Sequence, residues 1–333
     1  MKKTLFVTML ATALLGGQVF ADAVLTKVEG YSQKYGDLYI GADGPQSSGG
    51  EVFVSYSADG SDMSSVEVWG GMGSESTTGN AVIMTGGEVS TLLGGKSQNS
   101  ATGNVVIVAG DSKVGMFVQG GDATGGSSQD NKVYLVGNGA TATIAYAQGK
   151  EAKCTGGKLS LGDVIAGGVG DTMSGNSVDI YGTGIDARGL GMMQVLNFHI
   201  ANLDDGATPM ITLPSWLFLT NFLVPTEDNP SPELALTFDA LDSMEWKPGA
   251  SVTLVNAGKG IMIDESLLGK EYNIYRNGDP DKTVLGTATL KLEQGEGNTT
   301  ILKLVTNGNV PEPTTGILSL LALAALAARR RRK

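Results

Sequence analysis

Catalysis near neutral pH needs a titratable or nucleophilic side chain with a partner, and this 333-residue chain offers few. It has one histidine, His199, and one cysteine, Cys154. A Ser-His-Asp triad or a His-based metal site would have to use His199. That residue sits in the strand-like run Leu196-Asn197-Phe198-His199-Ile200, where the sequence offers it no evident partner, and it is expected to be structural. A lone cysteine cannot form an intramolecular disulfide. Cys154 is expected to be a small buried or loop residue, with a reactive or intermolecular thiol as the alternative. The sequence contains no complete Gly-x-x-x-x-Gly-Lys-Ser/Thr phosphate loop and no His-Glu-x-x-His, and the Gly-Gly-x-Gly-x-Asp calcium repeat is absent. Asp59-Gly60-Ser61-Asp62 and Gly278-Asp279-Pro280-Asp281 could contact calcium through carboxylate oxygens, but these are also the residues of ordinary tight turns, as are Asp204-Asp205. No catalytic residue, metal ligand or cofactor is assigned.

Polysaccharide lyases and glycosidases need paired carboxylates or clustered Asp, Arg and Lys. Here the acidic residues fall singly, as at Glu88, Asp111 and Asp179, and Arg188 and Arg276 are the only arginines before residue 329. A non-enzymatic protein is therefore expected, with a β-helix polysaccharide-active enzyme as the alternative. Such an enzyme would have to assemble its site across distant segments.

The elements that would position any site come from a degenerate repeat. Asn80-Ala81-Val82-Ile83-Met84-Thr85-Gly86 recurs as Asn104-Val105-Val106-Ile107-Val108-Ala109-Gly110, as Asn131-Lys132-Val133-Tyr134-Leu135-Val136-Gly137 and as Asn176-Ser177-Val178-Asp179-Ile180-Tyr181-Gly182. In each copy the Val and the second apolar residue are two apart, so both point to one face of a strand. Asn and Gly mark turns. A Gly-Gly pair precedes each copy, at Gly70-Gly71, Gly94-Gly95, Gly120-Gly121 and Gly167-Gly168. Glu51 to Tyr56, with Val66 to Trp69, is a worn first unit. The long interval before Asn176 implies an insertion or an extra coil over residues 140–165.

One such unit cannot bury its apolar face alone, whereas stacked units can, with Val over Val and Gly-Gly at the corners. The expected fold is all-β: a right-handed parallel β-helix or solenoid with a β-rich C-terminal cap. The alternatives are an antiparallel hairpin array, a sandwich or a propeller, the last disfavoured by the unequal repeat lengths. Strands are expected at Gln194–Leu203, Leu234–Leu241, Ser251–Asn256, Thr287–Glu293 and Thr299–Thr306, with a turn at Gly295-Glu296-Gly297-Asn298. The segment from Pro209 to Pro232, with Trp216, Phe218 and Phe222, is expected to close an open end; a carbohydrate-facing aromatic patch is the alternative.

Residues 1–23 read as a signal peptide. Lys2 and Lys3 precede the uncharged run Leu5–Leu15, which is shorter than the roughly 20 residues that span a bilayer. Small residues place the cleavage after Ala21 or Ala23. At the other end, Pro311-Glu312-Pro313 forms an extended polar element, because proline resists entry into a helix. An apolar run of high helix propensity follows to Ala328, and then the cations Arg329, Arg330, Arg331, Arg332 and Lys333, which would stay cytoplasmic and stop transfer. Fifteen residues from Thr314 to Ala328 reach about 22 Å as a helix, against about 30 Å of hydrocarbon. With cleavage after Ala21 and loss of the tail, the chain sheds seven of the 23 basic residues and one of the 34 acidic ones, Glu312, so the body that begins at Asp22 carries 16 basic against 33 acidic residues. Such a surface repels nucleic acid, which is not expected as a partner.

Pro-Glu-Pro, an apolar helix and a terminal arginine cluster together resemble the PEP-CTERM sorting domain. The resemblance covers residues 310–333. It implies a Gram-negative bacterium that makes extracellular polysaccharide, and an exosortase, a membrane cysteine enzyme, that removes the tail and hands the body to the surface. It also implies a transient inner-membrane anchor through a C-terminal transmembrane helix. The repeats of the body loosely resemble the β-helix passengers of autotransporter-type adhesins. The resulting organisation is a signal helix (1–23), Gly-rich solenoid repeats (24–189), a β-rich continuation or cap (190–309) and a sorting and anchoring segment (310–333). The expected function is that of a secreted surface or extracellular-matrix protein with a structural or adhesive role, whose partners are the exosortase and an extracellular polysaccharide. An orphan autotransporter-like passenger is a further alternative, weakened because too little chain follows residue 309 to build a membrane barrel.

Overall fold

The computed structural model describes residues 24–146, 149–201, 208–214, 216–219, 234–241 and 247–309. The expected signal helix, the cleavage positions Ala21 and Ala23, and the entire C-terminal segment from Pro311 to Lys333 lie outside the described residues. So do Asp204-Asp205 and most of the segment from Pro209 to Pro232. Among the described residues no helix is long and apolar enough to cross a membrane.

The described chain is all-β, and 29 of its strands join in one sheet that does not close as a barrel. Within it run three parallel ladders, which the chain visits in rotation. The first ladder takes Leu38–Asp43, Glu67–Gly73, Gly87–Ser97 and Gly110–Gln119. The second takes Gln46–Ser48, Ser76–Thr78, Ser100–Thr102, Asp122–Gln129 and Val169–Ser174. The third is the longest: Glu51–Tyr56, Ala81–Met84, Val105–Val108, Lys132–Val136, Ser177–Tyr181, Val195–Ile200, Ala235–Ala240 and Glu271–Arg276. Every repeat motif of the sequence supplies one strand of this third ladder, in register.

Alternation along those strands builds the core. Val52, Val82, Val106, Val133, Val178, Leu196 and Leu236 stand in one inward column. Val54, Met84, Val108, Leu135, Ile180, Phe198, Phe238 and Ile274 form the next, and all eight are buried. The Phe198 and Phe238 rings stack with centroids 5.9 Å apart. Each column extends the same apolar cluster by one strand, so burial grows with every added unit.

The outward face of the third ladder is also apolar where the early units lie. Ile83, Val105, Ile107, Tyr134 and Val136 form a second buried cluster with Ala142, Ile144 and Cys154. Those last three come from an antiparallel hairpin, Thr141–Tyr146 with the first half of Lys150–Leu161. The expected insertion at 140–165 is thus a hairpin laid over the outside of the sheet, after which the chain rejoins the first ladder at Gly156–Leu161. Lys150 near its tip is paired with Glu51, 2.5 Å away on the opening strand of the third ladder.

Both ends of the array are finished by antiparallel strands. Leu25–Glu29 lies against Glu51–Tyr56, and Gln33–Tyr35 folds back on Leu38–Asp43. At the other end Glu271–Arg276, Val284–Gln294, Thr300–Asn309 and Ser251–Ala257 pair antiparallel in succession. The turn expected at residues 295–298 joins the two longest of these strands, with a short 3-10 turn at Glu296–Asn298.

Candidate functional site: an asparagine spine and a histidine clamp

The Asn of each repeat is more than a turn residue. Asn80, Asn104, Asn131 and Asn176 are completely buried and stack along the corner that leads into the third ladder. Asn80 donates from its backbone N (3.1 Å) and its Nδ2 (3.0 Å) to Oδ1 of Asn104. Asn104 does the same to Asn131 at 3.0 Å for each bond. Asn131 repeats it onto Asn176, again at 3.0 Å for each. At the start, Gly50 stands in the Asn position and donates its N–H to Asn80 Oδ1 at 2.8 Å. At the far end, Gln194 accepts from the Asn176 backbone at 3.0 Å, so glutamine terminates the spine.

The Gly-Gly pairs make room for this spine. A Cβ on Gly94 would lie 2.2 Å from the Gly120 carbonyl oxygen, and one on Gly95 would lie 2.6 Å from Asn104 Cγ. The first glycine of the pair therefore lets backbone rest on backbone, and the second seats the buried amide. Buried amides with all these partners cost little to bury, whereas an orphaned one would cost about 1–3 kcal/mol.

Beyond the hairpin the outward face of the third ladder turns polar. Tyr134, Asp179, Asn197 and Thr237 stand in one outward column, and Val136, Tyr181, His199 and Asp239 in the next. His199 Nδ1 lies 2.8 Å from Asp239 Oδ1 and Nε2 lies 3.1 Å from Asp179 Oδ1. Asp179 also accepts from Asn197 Nδ2 at 2.7 Å and from Ser177 Oγ at 2.9 Å. The Tyr181 ring stacks on the imidazole, with centroids 3.7 Å apart and planes 2° from parallel. The expectation that His199 has no partners is corrected: the ladder register brings to it two carboxylates and an aromatic face.

Burial on its own would lower the His199 pKa, but hydrogen bonds and charge from Asp179 and Asp239 outweigh it and raise the value to about 9. At neutral pH the ring is an imidazolium that donates from both nitrogens, and the side chain is only 10% exposed. Neither nitrogen is left to accept a proton, so the arrangement is an electrostatic clamp across three successive strands. Desolvation pushes the Tyr181 and Tyr134 phenols above their ordinary range, which keeps both neutral. Asp179 and Asp239 sit on opposite edges of the imidazole, and among the described residues no group of three or more His, Cys, Asp or Glu could hold a metal ion.

The remaining residues singled out in the sequence are placed apart from one another. Cys154 is buried in the second cluster, and burial pushes its thiol pKa up, the opposite of a reactive cysteine. Glu88 pairs with Lys113 at 2.7 Å, and Asp111 accepts from the Lys158 backbone at 2.9 Å. Asp62 and Asp279 accept backbone N–H groups two residues ahead, as turn residues do. The spine was signalled by the strict recurrence of Asn; its burial was not. The clamp had a fainter signal. Aligning Gln194 with Asn176 would have set Asp179 beside Asn197 and Tyr181 beside His199, but that strand lacks the Asn and the Gly that mark the others.

No curated protein and no solved structure matches the chain. Residues 309–333 match the PEP-CTERM protein-sorting motif, a match that spans Pro311-Glu312-Pro313 and the terminal cluster from Arg329 to Lys333. At its C-terminus the chain thus carries a PEP-CTERM protein-sorting motif, which implies exosortase processing and delivery to the cell surface or the extracellular space.

Proposed function

We propose that the body between the two ends is a right-handed parallel β-helix that serves as a non-enzymatic scaffold or adhesin at the cell surface, associated with extracellular polysaccharide. The observation that carries this reading is the third ladder. Eight parallel strands in register, with a buried amide spine at their corner, make a stiff element of about 34 Å at the usual strand spacing. The rotation of the chain through three parallel ladders supports the helical winding, and parallel crossovers are overwhelmingly right-handed. The acidic body suits a soluble exported protein and argues for an uncharged or weakly charged glycan over a polyanion.

Two measurements test this. Co-sedimentation of the exported protein with its host's exopolysaccharide, with the supernatant assayed for new reducing ends and unsaturated sugars, should show binding without product. Product release would replace the scaffold with the polysaccharide-active enzyme. Intact-mass analysis of the surface form tests delivery: it should lack residues 1–21 or 1–23 and the segment after the Pro-Glu-Pro element. Changing Pro311-Glu312-Pro313 to alanines should leave the uncleaved mass. A wild-type surface form that keeps residues 314–333 would overturn the processing step.

A further inference from the structure

The outward face of the first ladder carries three aromatic rings at a regular interval. Gln33–Tyr35, Leu38–Asp43, Glu67–Gly73, Gly87–Ser97 and Gly110–Gln119 are successive strands of this face. Tyr39, Val68, Leu92 and Val118 point from these strands into the main core, so by alternation Tyr35, Trp69 and Phe117 point outward. Tyr35 and Phe117 stand in one outward column, and Trp69 stands in the next, between Ile40 and Leu93. Each ring is two strands from the next, about 9.6 Å along the ladder at the usual strand spacing. The rings are held before any ligand arrives. Tyr35 Oη donates to Asp43 Oδ2 at 2.9 Å. Trp69 Nε1 donates to Glu67 Oε2 at 3.1 Å, and Lys96 Nζ lies 4.8 Å from the centre of the indole. Ile40 and Leu93, which flank the indole, are 0% and 3% exposed, whereas Tyr35 is 54% exposed and Trp69 and Phe117 are half-buried.

Spacing and charge select the partner. A pyranose ring offers a face of C–H groups that packs against the electron-rich face of an aromatic ring, while its hydroxyls stay at the rim. In a ribbon-like chain of equatorially linked hexoses every second ring turns the same face the same way, so such contacts recur once per disaccharide. The two-strand interval matches that repeat; a glycan that coils carries its ring faces out of line. From Gln33 and Tyr35 to Val164 and Ala166 the two outward columns hold a single charged residue, Glu67, whose carboxylate is engaged by the indole. A neutral chain fits that surface, whereas a polyuronate or a second copy of this chain brings acid towards an acidic body. We infer that this face is a binding strip for an extended neutral glucan or mannan of the cellulose type, with Tyr35, Trp69 and Phe117 as its stacking platforms. The inference rests on the polysaccharide reading above and deepens it by naming the class of glycan and the face that takes it.

The test uses the exported protein and isothermal titration with cellohexaose and mannohexaose, with maltohexaose as the coiling control and an alginate hexamer as the charged one. At least one of the first two should bind, and both controls should bind at least about tenfold more weakly. The matching disaccharide, which reaches one ring only, should also bind at least about tenfold more weakly. Tyr35→Ala, at an exposed position, should weaken binding about tenfold while the unfolding transition stays put, and Tyr35→Phe, which keeps the ring, should bind as wild type does. Trp69→Ala should weaken binding about tenfold, and Trp69→Phe about threefold or less. If neither cellohexaose nor mannohexaose binds, if binding is indifferent to Tyr35→Ala and Trp69→Ala, or if maltohexaose binds equally well, the strip is refuted. Co-sedimentation separates this from the scaffold: exopolysaccharide binding that survives Tyr35→Ala and Trp69→Ala together removes the strip and keeps the scaffold, and hexasaccharide binding without exopolysaccharide binding does the reverse.

Discussion

His199 gives the protein a pH-dependent stability that can be isolated, because it is the chain's only histidine. Its pKa rises from 6.5 unfolded to about 9 in the folded protein. The folded state therefore holds the proton more tightly. The clamp's contribution is complete below pH 6.5 and is lost as pH rises through about 9. A shift of this size corresponds to about 3 kcal/mol at 1.36 kcal/mol per pH unit. Between the two pKa values the folded protein binds close to one proton more than the unfolded chain, so the unfolding free energy should fall by about 1.4 kcal/mol per pH unit. Urea unfolding at half-unit steps from pH 6 to 8.5 measures this slope. The window stops there because the Cys154 thiol, raised above 9.0 by burial, adds a loss of the same sign at higher pH. Tyr134 and Tyr181 are raised out of range and do not interfere. His199→Gln removes the charge but keeps an amide between the two carboxylates, and its profile over this window should be flat. If wild type and His199→Gln show the same slope, the clamp as described is wrong.

Other outcomes follow from the spine, the corners and the hairpin. Asn104→Leu strands the buried backbone N–H of Asn80 and removes one of the two acceptors of its Nδ2, which keeps the Ser47 carbonyl, and should cost about 3 kcal/mol; the exposed change Gln129→Ala should cost less than about 0.5 kcal/mol, both read by urea unfolding. Gly94→Ala drives a methyl against the Gly120 carbonyl and should cost about 3 kcal/mol or prevent folding, seen as loss of the soluble protein. Cys154 should resist a thiol reagent in the folded protein and react fully in urea, and Cys154→Ala should leave the urea midpoint within about 1 kcal/mol of wild type.

Much of the architecture was legible because each repeat states it again. The inward pair in Asn-x-Val-x-apolar-x-Gly maps onto two core columns, since alternation along a strand allows only that assignment. The strands expected at 194–203, 234–241, 251–256, 287–293 and 299–306 all appear, with bounds moved by a few residues. What stayed hidden depends on neighbours that are remote in sequence. Cross-ladder contacts join residues 20 and 40 apart at His199, and their order depends on loop lengths that no local pattern records. The hairpin over residues 141–155 read only as an irregular interval, because its partner is the outer face of strands that themselves look like ordinary solvent-facing ones. The buried Asn could not be told from a turn Asn by type, as both roles rest on the same short amide.

The closing strand, Thr300–Asn309, also has a mechanical meaning. It is hydrogen-bonded on both flanks, to Ser251–Ala257 and to Val284–Gln294, and its pairing runs to Asn309, where the sorting motif begins. A tension applied along this strand from its C-terminal end is met in shear, with many backbone bonds loaded together rather than opened one after another. The strand that adjoins the sorting motif is thus also one of the most firmly stitched of the body. Traction there passes into the sheet as a whole before any single rung gives way.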